Sequence, residues 1–400
     1  MQFSPFIFLH FTIIFGNIYN KHQFIKMNIG IFTNHEINPF IGGVEKVTYN
    51  LSIYLKSKGF KLFFFHLYGK NKDNHFIIPS TSNIQLITSF IDSKITENKI
   101  DIIIDQYGTG NYFTHINLKS KVKIIRCWHL NIFEKNITYC LLGAFWYKKI
   151  SENLKNFCFW INTPRRRAKY LAEYKLAIEQ TDIFCTLSEA YRKQLVNIYK
   201  KNNIISINNA IKVLPKVSLL EKENIIMFCG RIVHNPKNVL FLINLWEQLF
   251  LKYPDWKMIL VGDGEDRYIL EKLIKKKKLQ RIFITGYTNP NDYYQKAKIL
   301  VLPSYNEGFG MVLIEAMSHG CVPIVFNTSP AFHDIITDAN NGYIVNNLNK
   351  KEYINKCQLL MENDKQLKQM AINATSSVKK FSLEIIGEQW INLFNTLLKK

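Results

Sequence analysis

Apolar residues along this chain fall into short, near-continuous runs separated by stretches with helical spacing. Met27-Asn28-Ile29-Gly30-Ile31-Phe32 opens the series, and Lys61–Leu67, Ile100–Asp105, Lys123–Cys127 and Ile183–Leu187 repeat it. Runs so short and so apolar read as strands buried on both faces. Between the first two, Val47, Leu51, Tyr54 and Leu55 mark one face of a helix that Gly59 closes. A second series starts at Asn224, with Ile225–Cys229, Lys257–Val261, Ile282–Thr285, Ile299–Leu302 and Val322–Phe326 as strands and Val239–Phe250 as a helix. Strand and helix in alternation predict parallel sheets of the α/β class, with ligand-binding groups at the strand C-terminal ends.

The two series predict two doubly wound, Rossmann-like domains, 27–211 and 223–380, joined by a Lys- and Pro-containing linker at 212–222. Phe381-Ser382-Leu383-Glu384 reads as a helix start. Ile385, Ile386, Trp390, Leu393 and Leu397 give 381–400 an amphipathic face, expected to pack back toward the first domain. A length of 400 residues agrees with two cores, and 47% hydrophobic with 21% charged residues excludes a disordered chain.

The candidate chemistry lies at strand ends. Pro303-Ser304-Tyr305-Asn306-Glu307-Gly308-Phe309-Gly310-Met311 follows one strand and leads into a helix expected to open near Phe309 and to carry Glu315. A strand, a glycine-bearing turn and a helix N-terminus form an anion site, because free N–H groups and the helix dipole favour negative charge. A ligand with phosphates at the helix end and hydroxyls beside them, such as a nucleotide sugar, suits that layout. Arg231 and Lys237 follow Ile225–Cys229 and can neutralise a diphosphate. Gly262-Asp263-Gly264 and Gly286-Tyr287 end the next two strands. In the first domain the strand ends offer Gly42-Gly43, Asp105 and Trp128-His129; a lone histidine or aspartate there is more often structural than functional. The Gly-Gly loop is not a G-x-G-x-x-G fingerprint, so a dinucleotide site is disfavoured.

Net charge is +21, more of it in the first half, which suits an anionic partner such as lipid, nucleic acid or a phosphorylated substrate, although a run such as Lys275–Lys278 reads as a solvated face. Aromatic and basic side chains at 139–170, including Trp146, Lys148, Lys149 and Arg165-Arg166-Arg167, suit a membrane surface with anionic headgroups; a helix packed on the core explains them equally well. No nucleic-acid-binding motif is present. Seven cysteines without a C-x-x-C pair argue against a zinc site and for buried thiols in a reducing compartment. Residues 1–26 are apolar but short for a span, and they lack a basic n-region and a cleavage site. They are expected to lie outside the fold, as an N-terminal extension or a membrane-touching anchor.

The motif Pro303-Ser304-x-x-Glu307-Gly308-Phe309-Gly310-x-x-x-x-Glu315-Ala316-Met317-x-x-Gly320-x-Pro323 resembles the Glu-x7-Glu signature of the retaining glycosyltransferases of family 4. Gly42-Gly43 with Glu45, Ser188-Glu189, Gly230-Arg231 with Lys237 and Asn341-Gly342-Tyr343 add to the resemblance, which runs from residue 28 to about 345. It implies the GT-B fold, two Rossmann-like domains facing a cleft, with the acceptor on the first domain and the donor on the second. It implies transfer of a sugar from a nucleotide-diphosphate donor (UDP- or GDP-sugar) to a glycan or lipid-phosphate acceptor in cell-surface polysaccharide or lipopolysaccharide synthesis. Retention, metal independence and a cytoplasmic or peripheral membrane location belong to the same expectation. By resemblance, Arg231, Lys237 and the amides of Gly308, Phe309, Gly310 and Met311 would bind the diphosphate, with Gly43 approaching from the first domain. Glu315 would hold the ribose, Gly286 and Tyr287 the base, and Glu307 and His129 the transferred sugar. Five residues between Arg231 and Lys237, where many relatives have four, depart from the pattern, as do Asn208-Asn209-Ala210-Ile211 and the surroundings of His129. A sugar-nucleotide-binding subunit without activity and a nucleotide-sugar epimerase of the same fold are the alternatives.

Overall fold

The computed structural model describes residues 27–39, 42–106, 116, 118–129, 168, 171–213 and 222–399. The first domain alternates β1 (Asn28–His35), α1 (Gly43–Ser57), β2 (Lys61–Tyr68), β3 (His75–Ile77), α2 (Ile84–Asn98), β4 (Ile102–Asp105), β5 (Lys123–Trp128), β6 (Ile183–Thr186), α3 (Glu189–Tyr199) and β7 (Ile204–Ser206). The second continues with β8 (Glu223–Cys229), α4 (His234–Lys237), α5 (Val239–Leu249), β9 (Lys257–Val261), α6 (Arg267–Lys276), β10 (Ile282–Ile284), α7 (Asn291–Lys296) and β11 (Ala297–Leu302). After these come α8 (Met311–Ser318), β12 (Val322–Phe326), α9 (Phe332–Ile335), β13 (Tyr343–Val345), α10 (Lys350–Glu362), α11 (Asp364–Ser377) and α12 (Leu383–Leu398).

Both sheets are parallel throughout, in the orders β3-β2-β1-β4-β5-β6-β7 and β10-β9-β8-β11-β12-β13. Strand order reverses between β1 and β4, and again between β8 and β11, so each sheet has a crevice at that point. In the first domain, Ile29, Ile31 and Leu62 face one side and Phe32, Phe63 and Phe65 the other, giving a core on each face. The core of the second domain, built on Phe228, Trp246 and Leu300, continues into Phe184, Tyr191 and Leu195 of the first.

The last helix ties the domains together. Ser382 caps α12 by accepting from the Ile385 N–H. Trp390, Ile391 and Phe394 of α12 then join the core of the first domain. Tyr54 of α1 donates its hydroxyl to Glu388 Oε1 at 2.7 Å, and Lys58 binds the same oxygen at 2.8 Å.

Two features differ from the sequence expectation. The helix after β11 opens at Met311 rather than near Phe309, because Gly310 takes φ 85° and Phe309 turns its ring into the core, edge-on to Phe381. Glu315 is therefore just over one turn into the helix. Between β13 and α12, where no element was assigned, two helices pack their buried faces (Tyr353, Cys357, Leu360; Leu367, Met370, Ala374) on the second sheet's core. Cys127, Cys185, Cys229, Cys321 and Cys357 are buried free thiols. Among the described residues no helix is long and apolar enough to cross a membrane. The expectations for residues 1–26, and for all but Ala168 of 139–170, lie outside the described residues.

Candidate active site

The loops after β8 and β11 leave the second sheet on either side of its order reversal. Asn238 donates from its side-chain amide to Pro303 O at 3.1 Å, and the Tyr305 N–H donates to Pro236 O at 2.8 Å. These bonds lock the two loops together. They bring Lys237 onto Glu307: the ammonium donates to Glu307 Oε1 at 2.6 Å, and Ser304 Oγ donates to the same oxygen at 2.7 Å. Both charged side chains are largely buried, at 18% and 11% exposed. The five-residue spacing from Arg231 is thus absorbed by the turn and by α4, and still delivers Lys237 to the loop after β11. Arg231 itself is exposed; its carbonyl oxygen accepts from the Val233 N–H at 2.9 Å, and among the described residues no hydrogen bond or ion pair engages its guanidinium.

Three glycines stack the neighbouring loops. A Cβ on Gly262 would lie 2.0 Å from Gly230 O, and the Gly262 N–H donates to Gly286 O at 3.1 Å. Only glycine lets the ends of β8, β9 and β10 approach so closely. That packing sets Gly286 beside Asp263 and Arg267, which are ion-paired at 3.0 Å, and leaves Tyr287 73% exposed.

Beyond Glu307 the chain turns at Gly310, where a Cβ would meet Leu313 Cδ1 at 3.0 Å and Phe332 Cε1 at 3.2 Å. No side chain caps α8; the Leu313 N–H donates back to Gly310 O at 2.9 Å, which leaves the N–H groups of Met311 and Val312 to serve an anion. Because the Phe309 ring is buried, only its backbone is available to a ligand. Glu315 sits four residues into α8. Its Oε1 accepts from Lys46 at 2.7 Å, and its Oε2 from the Tyr294 hydroxyl at 3.3 Å.

Lys46 belongs to the first domain, on α1. Gly43, the first residue of that helix, stands so close to α8 that its Cβ would lie 3.8 Å from Met311 Cγ. Two helix N-termini without side-chain caps therefore meet across the cleft. His129, just past β5, shares a 2.6 Å hydrogen bond between its Nε2 and Gln106 Oε1 and lines a small cavity with Val47, Leu51, Cys127, Asn209 and Trp390. Burial lowers its pKa to about 4, so the imidazole is neutral at physiological pH. Asp105 is held in a buried ion pair with Arg126 at 3.0 Å, which makes it a structural group.

The structure therefore gathers Lys237, Glu307, Gly308–Met311, Glu315 and Gly43 around one cleft. Arg231, Gly286 and Tyr287 lie on the adjoining loops, while His129 lines its own cavity in the first domain. Sequence reasoning missed two residues here. Lys46 stands one turn beyond Gly42-Gly43, a basic position beside a glycine loop that could have been noticed. Tyr191 carries no such signal, yet its hydroxyl donates to Gly308 O at 3.0 Å and pairs with Ser329 Oγ at 2.9 Å.

With this geometry in hand, the chain can be set beside known proteins. Residues 211–377 match the family described as glycosyl transferases group 1. That match, under half of the chain, likens its second domain to that family. The two facing domains have the GT-B fold of glycosyltransferases. An uncharacterized glycosyltransferase of Haemophilus influenzae is 28% identical over 92% of this chain and 98% of its own length. A poly(ribitol-phosphate) alpha-N-acetylglucosaminyltransferase of Staphylococcus aureus is 30% identical over 58% of this chain, which spans only 47% of that longer protein. The Anabaena protein HepE, solved in complex with UDP-glucose, superposes with a TM-score of 0.68 over 94% of this chain and 100% of its own, at 16% identity; at that identity the likeness speaks for the fold alone. The matched glycosyl transferase segment contains every second-domain residue described above, from Arg231 to Glu315.

Proposed function

We propose that this chain is a glycosyltransferase that moves one sugar from a nucleotide-diphosphate donor, UDP- or GDP-linked, to a glycan or lipid-linked acceptor of the cell surface, with retention at the anomeric carbon and without a metal. The observation that carries this reading is the Lys237–Glu307 pair set beside the uncapped N-terminus of α8 at the order reversal of the second sheet. Breaking a bond to a nucleoside diphosphate leaves negative charge on the phosphates, and preorganised cations and N–H donors stabilise such charge as it develops. Arg231, Lys237 and the amides of Gly308–Met311 would do this. The proton of the attacking acceptor hydroxyl would pass to the departing phosphate oxygen on the same face of the sugar. Glu315 would accept from the ribose hydroxyls, and Gly286 and Tyr287 would flank the base. Glu307, bound on one oxygen by Lys237 and Ser304, would face the transferred sugar with the neutral imidazole of His129.

The choice of acceptor follows the relatives. The Staphylococcus aureus protein is named for poly(ribitol-phosphate), and HepE was solved with UDP-glucose. An anionic acceptor agrees with a net charge of +21. In this reading the protein would work in the cytoplasm, at the membrane face. The test is incubation of the purified chain with UDP- and GDP-sugars, with glycan and lipid-phosphate acceptors, with and without EDTA. Transfer that survives EDTA and keeps the anomeric configuration, read by NMR of the product, supports the proposal. Donor binding without transfer to any acceptor supports a binding subunit instead, and free epimerised sugar supports an epimerase.

A further inference from the structure

We propose that Lys46 is a cross-cleft counter-ion that occupies the ribose position of Glu315 and has to withdraw when a nucleotide binds. The inference rests on the reading above, in which Glu315 receives the ribose, and adds a residue of the opposite domain to that interaction.

The Glu315 side chain is only 11% exposed, so few directions of approach remain. Tyr294, which donates to Oε2, is fully buried and lies on the inner side. Lys46, which donates to Oε1 at 2.7 Å, is 35% exposed and covers the carboxylate from the cleft. A vicinal diol binds a carboxylate best with one hydroxyl on each oxygen, and an ammonium on Oε1 in the open direction excludes that arrangement. The placement of α1 keeps Lys46 there, since Gly43 is seated against Met311 at the N-terminus of α8 and Lys46 follows one turn later. Withdrawal of Lys46 breaks an ion pair between the domains, so nucleotide binding loosens one of the contacts that join them across the cleft. Once free, the ammonium stays near the N-termini of α1 and α8.

The consequence is a competition with a definite sign. Removing the ammonium should tighten nucleotide binding, whereas a cation that simply binds phosphate would weaken it when removed. A partly exposed ion pair of this kind corresponds to a gain of roughly two- to five-fold in affinity. The test is calorimetric titration of UDP, with GDP in parallel, and of inorganic pyrophosphate into wild type, Lys46→Met and Lys46→Arg. The expected result is tighter nucleoside diphosphate binding to Lys46→Met, unchanged or weaker pyrophosphate binding to the same variant, and near wild-type behaviour for Lys46→Arg. Pyrophosphate, having no ribose, reports any general change in the phosphate site. Nucleotide affinity of Lys46→Met equal to or below that of wild type overturns the proposal while leaving the functional reading intact. If neither nucleotide binds wild type, the functional reading fails and this inference falls with it. Circular dichroism of each variant checks that the fold is retained.

Discussion

Tyr191 of the first domain donates its hydroxyl to the carbonyl oxygen of Gly308 in the second, at 3.0 Å, and shares a further bond of 2.9 Å with Ser329 Oγ. Its ring is almost wholly buried in the core that runs between the domains, and burial pushes the phenol's pKa up. The loop that carries Glu307 is thus positioned by a side chain of the opposite domain. Nearby, the Glu189 N–H donates to Asp334 Oδ2 at 2.8 Å, so the start of α3 is fixed to α9 in the same region.

Tyr191→Phe keeps the ring and deletes the hydroxyl. Ser329 Oγ lies 3.2 Å from Gly308 O, and without the phenol its proton can turn to that carbonyl and partly replace the lost bond. The expected stability loss is therefore only about 1 kcal/mol. Turnover should fall further than that stability loss explains, because the loop holding Glu307 loosens while the fold persists. Thermal melting together with donor KM and kcat separates the two effects. Wild-type kcat at a lowered melting temperature would reduce Tyr191 to a packing residue.

Lys237 and Glu307 form a charge pair at 2.6 Å with both members largely buried, so removing either strands the other. Lys237→Ala should lower kcat by about 10²–10³-fold, the usual consequence of losing one preorganised donor. Arg231→Ala, at an exposed position, should leave stability unchanged and weaken nucleoside diphosphate binding by about tenfold. Titration of UDP or GDP into each variant, with urea unfolding alongside, checks both statements. Equal nucleotide affinity in wild type and Arg231→Ala would remove the phosphate role of Arg231.

The sheets and the loops at their ends were legible because buried parallel strands are short apolar runs that end in glycine or charge. Lys257–Val261 and Val322–Phe326 coincide with the strands of the structure, and Ser382 caps a helix where Phe381-Ser382-Leu383-Glu384 implied its start. What was not legible has physical causes. β3, β7 and β13 are three residues each and, unlike the equally short β10 with Gly286 just beyond it, have no glycine to mark their C-terminal ends. The start of α8 depends on the positive φ of Gly310, a backbone choice that the composition of the loop leaves open. Within the site, Glu307, Glu315 and Lys237 stood out by type and position, whereas Lys46 and Tyr191 act on residues 269 and 117 positions away. Such pairings exist only once the two domains face each other.

Acid should destabilise the protein in a defined window. His129, His66 and His75 each have a folded-state pKa of about 4, below the ordinary 6.5, with burial as the leading cause. A histidine that is neutral when folded takes up a proton on unfolding whenever the pH lies between those values. The unfolded chain then binds more protons, and stability falls as pH drops from about 6.5 toward 4. The contribution is intact above 6.5. In the first domain the Thr33 hydroxyl donates to His35 O, so it accepts from His66 Nδ1; His66 Nε2 accepts in turn from His75 Nδ1 at 2.9 Å. Protonating His66 would break that last bond. Urea midpoints at pH 7.5, 6.0 and 5.0 should decline in wild type, with a shallower decline in His66→Gln. A pH-independent midpoint over this range contradicts the assignment.

The seat of α12 makes the sharpest prediction about the fold, because two known effects oppose each other there. Gly387 lies inside that helix, where alanine is intrinsically favoured over glycine by about 1 kcal/mol. A Cβ at this position would lie 2.2 Å from Cδ1 and Cε1 of the Tyr54 ring. The ring cannot swing aside cheaply, since its hydroxyl is bound to Glu388 and Lys58 closes the same cluster. Overpacking of this kind costs about 1–3 kcal/mol and so outweighs the propensity gain. Gly387→Ala should therefore destabilise the protein, and Tyr54→Ala in the same chain should recover part of the loss by opening space for the new methyl group. A double-mutant cycle on urea unfolding measures that coupling, which should be favourable for the doubly substituted chain. If Gly387→Ala alone melts at or above wild type, α12 does not seat on Tyr54 as described, and the tie between the closing helix and the first domain is lost with it.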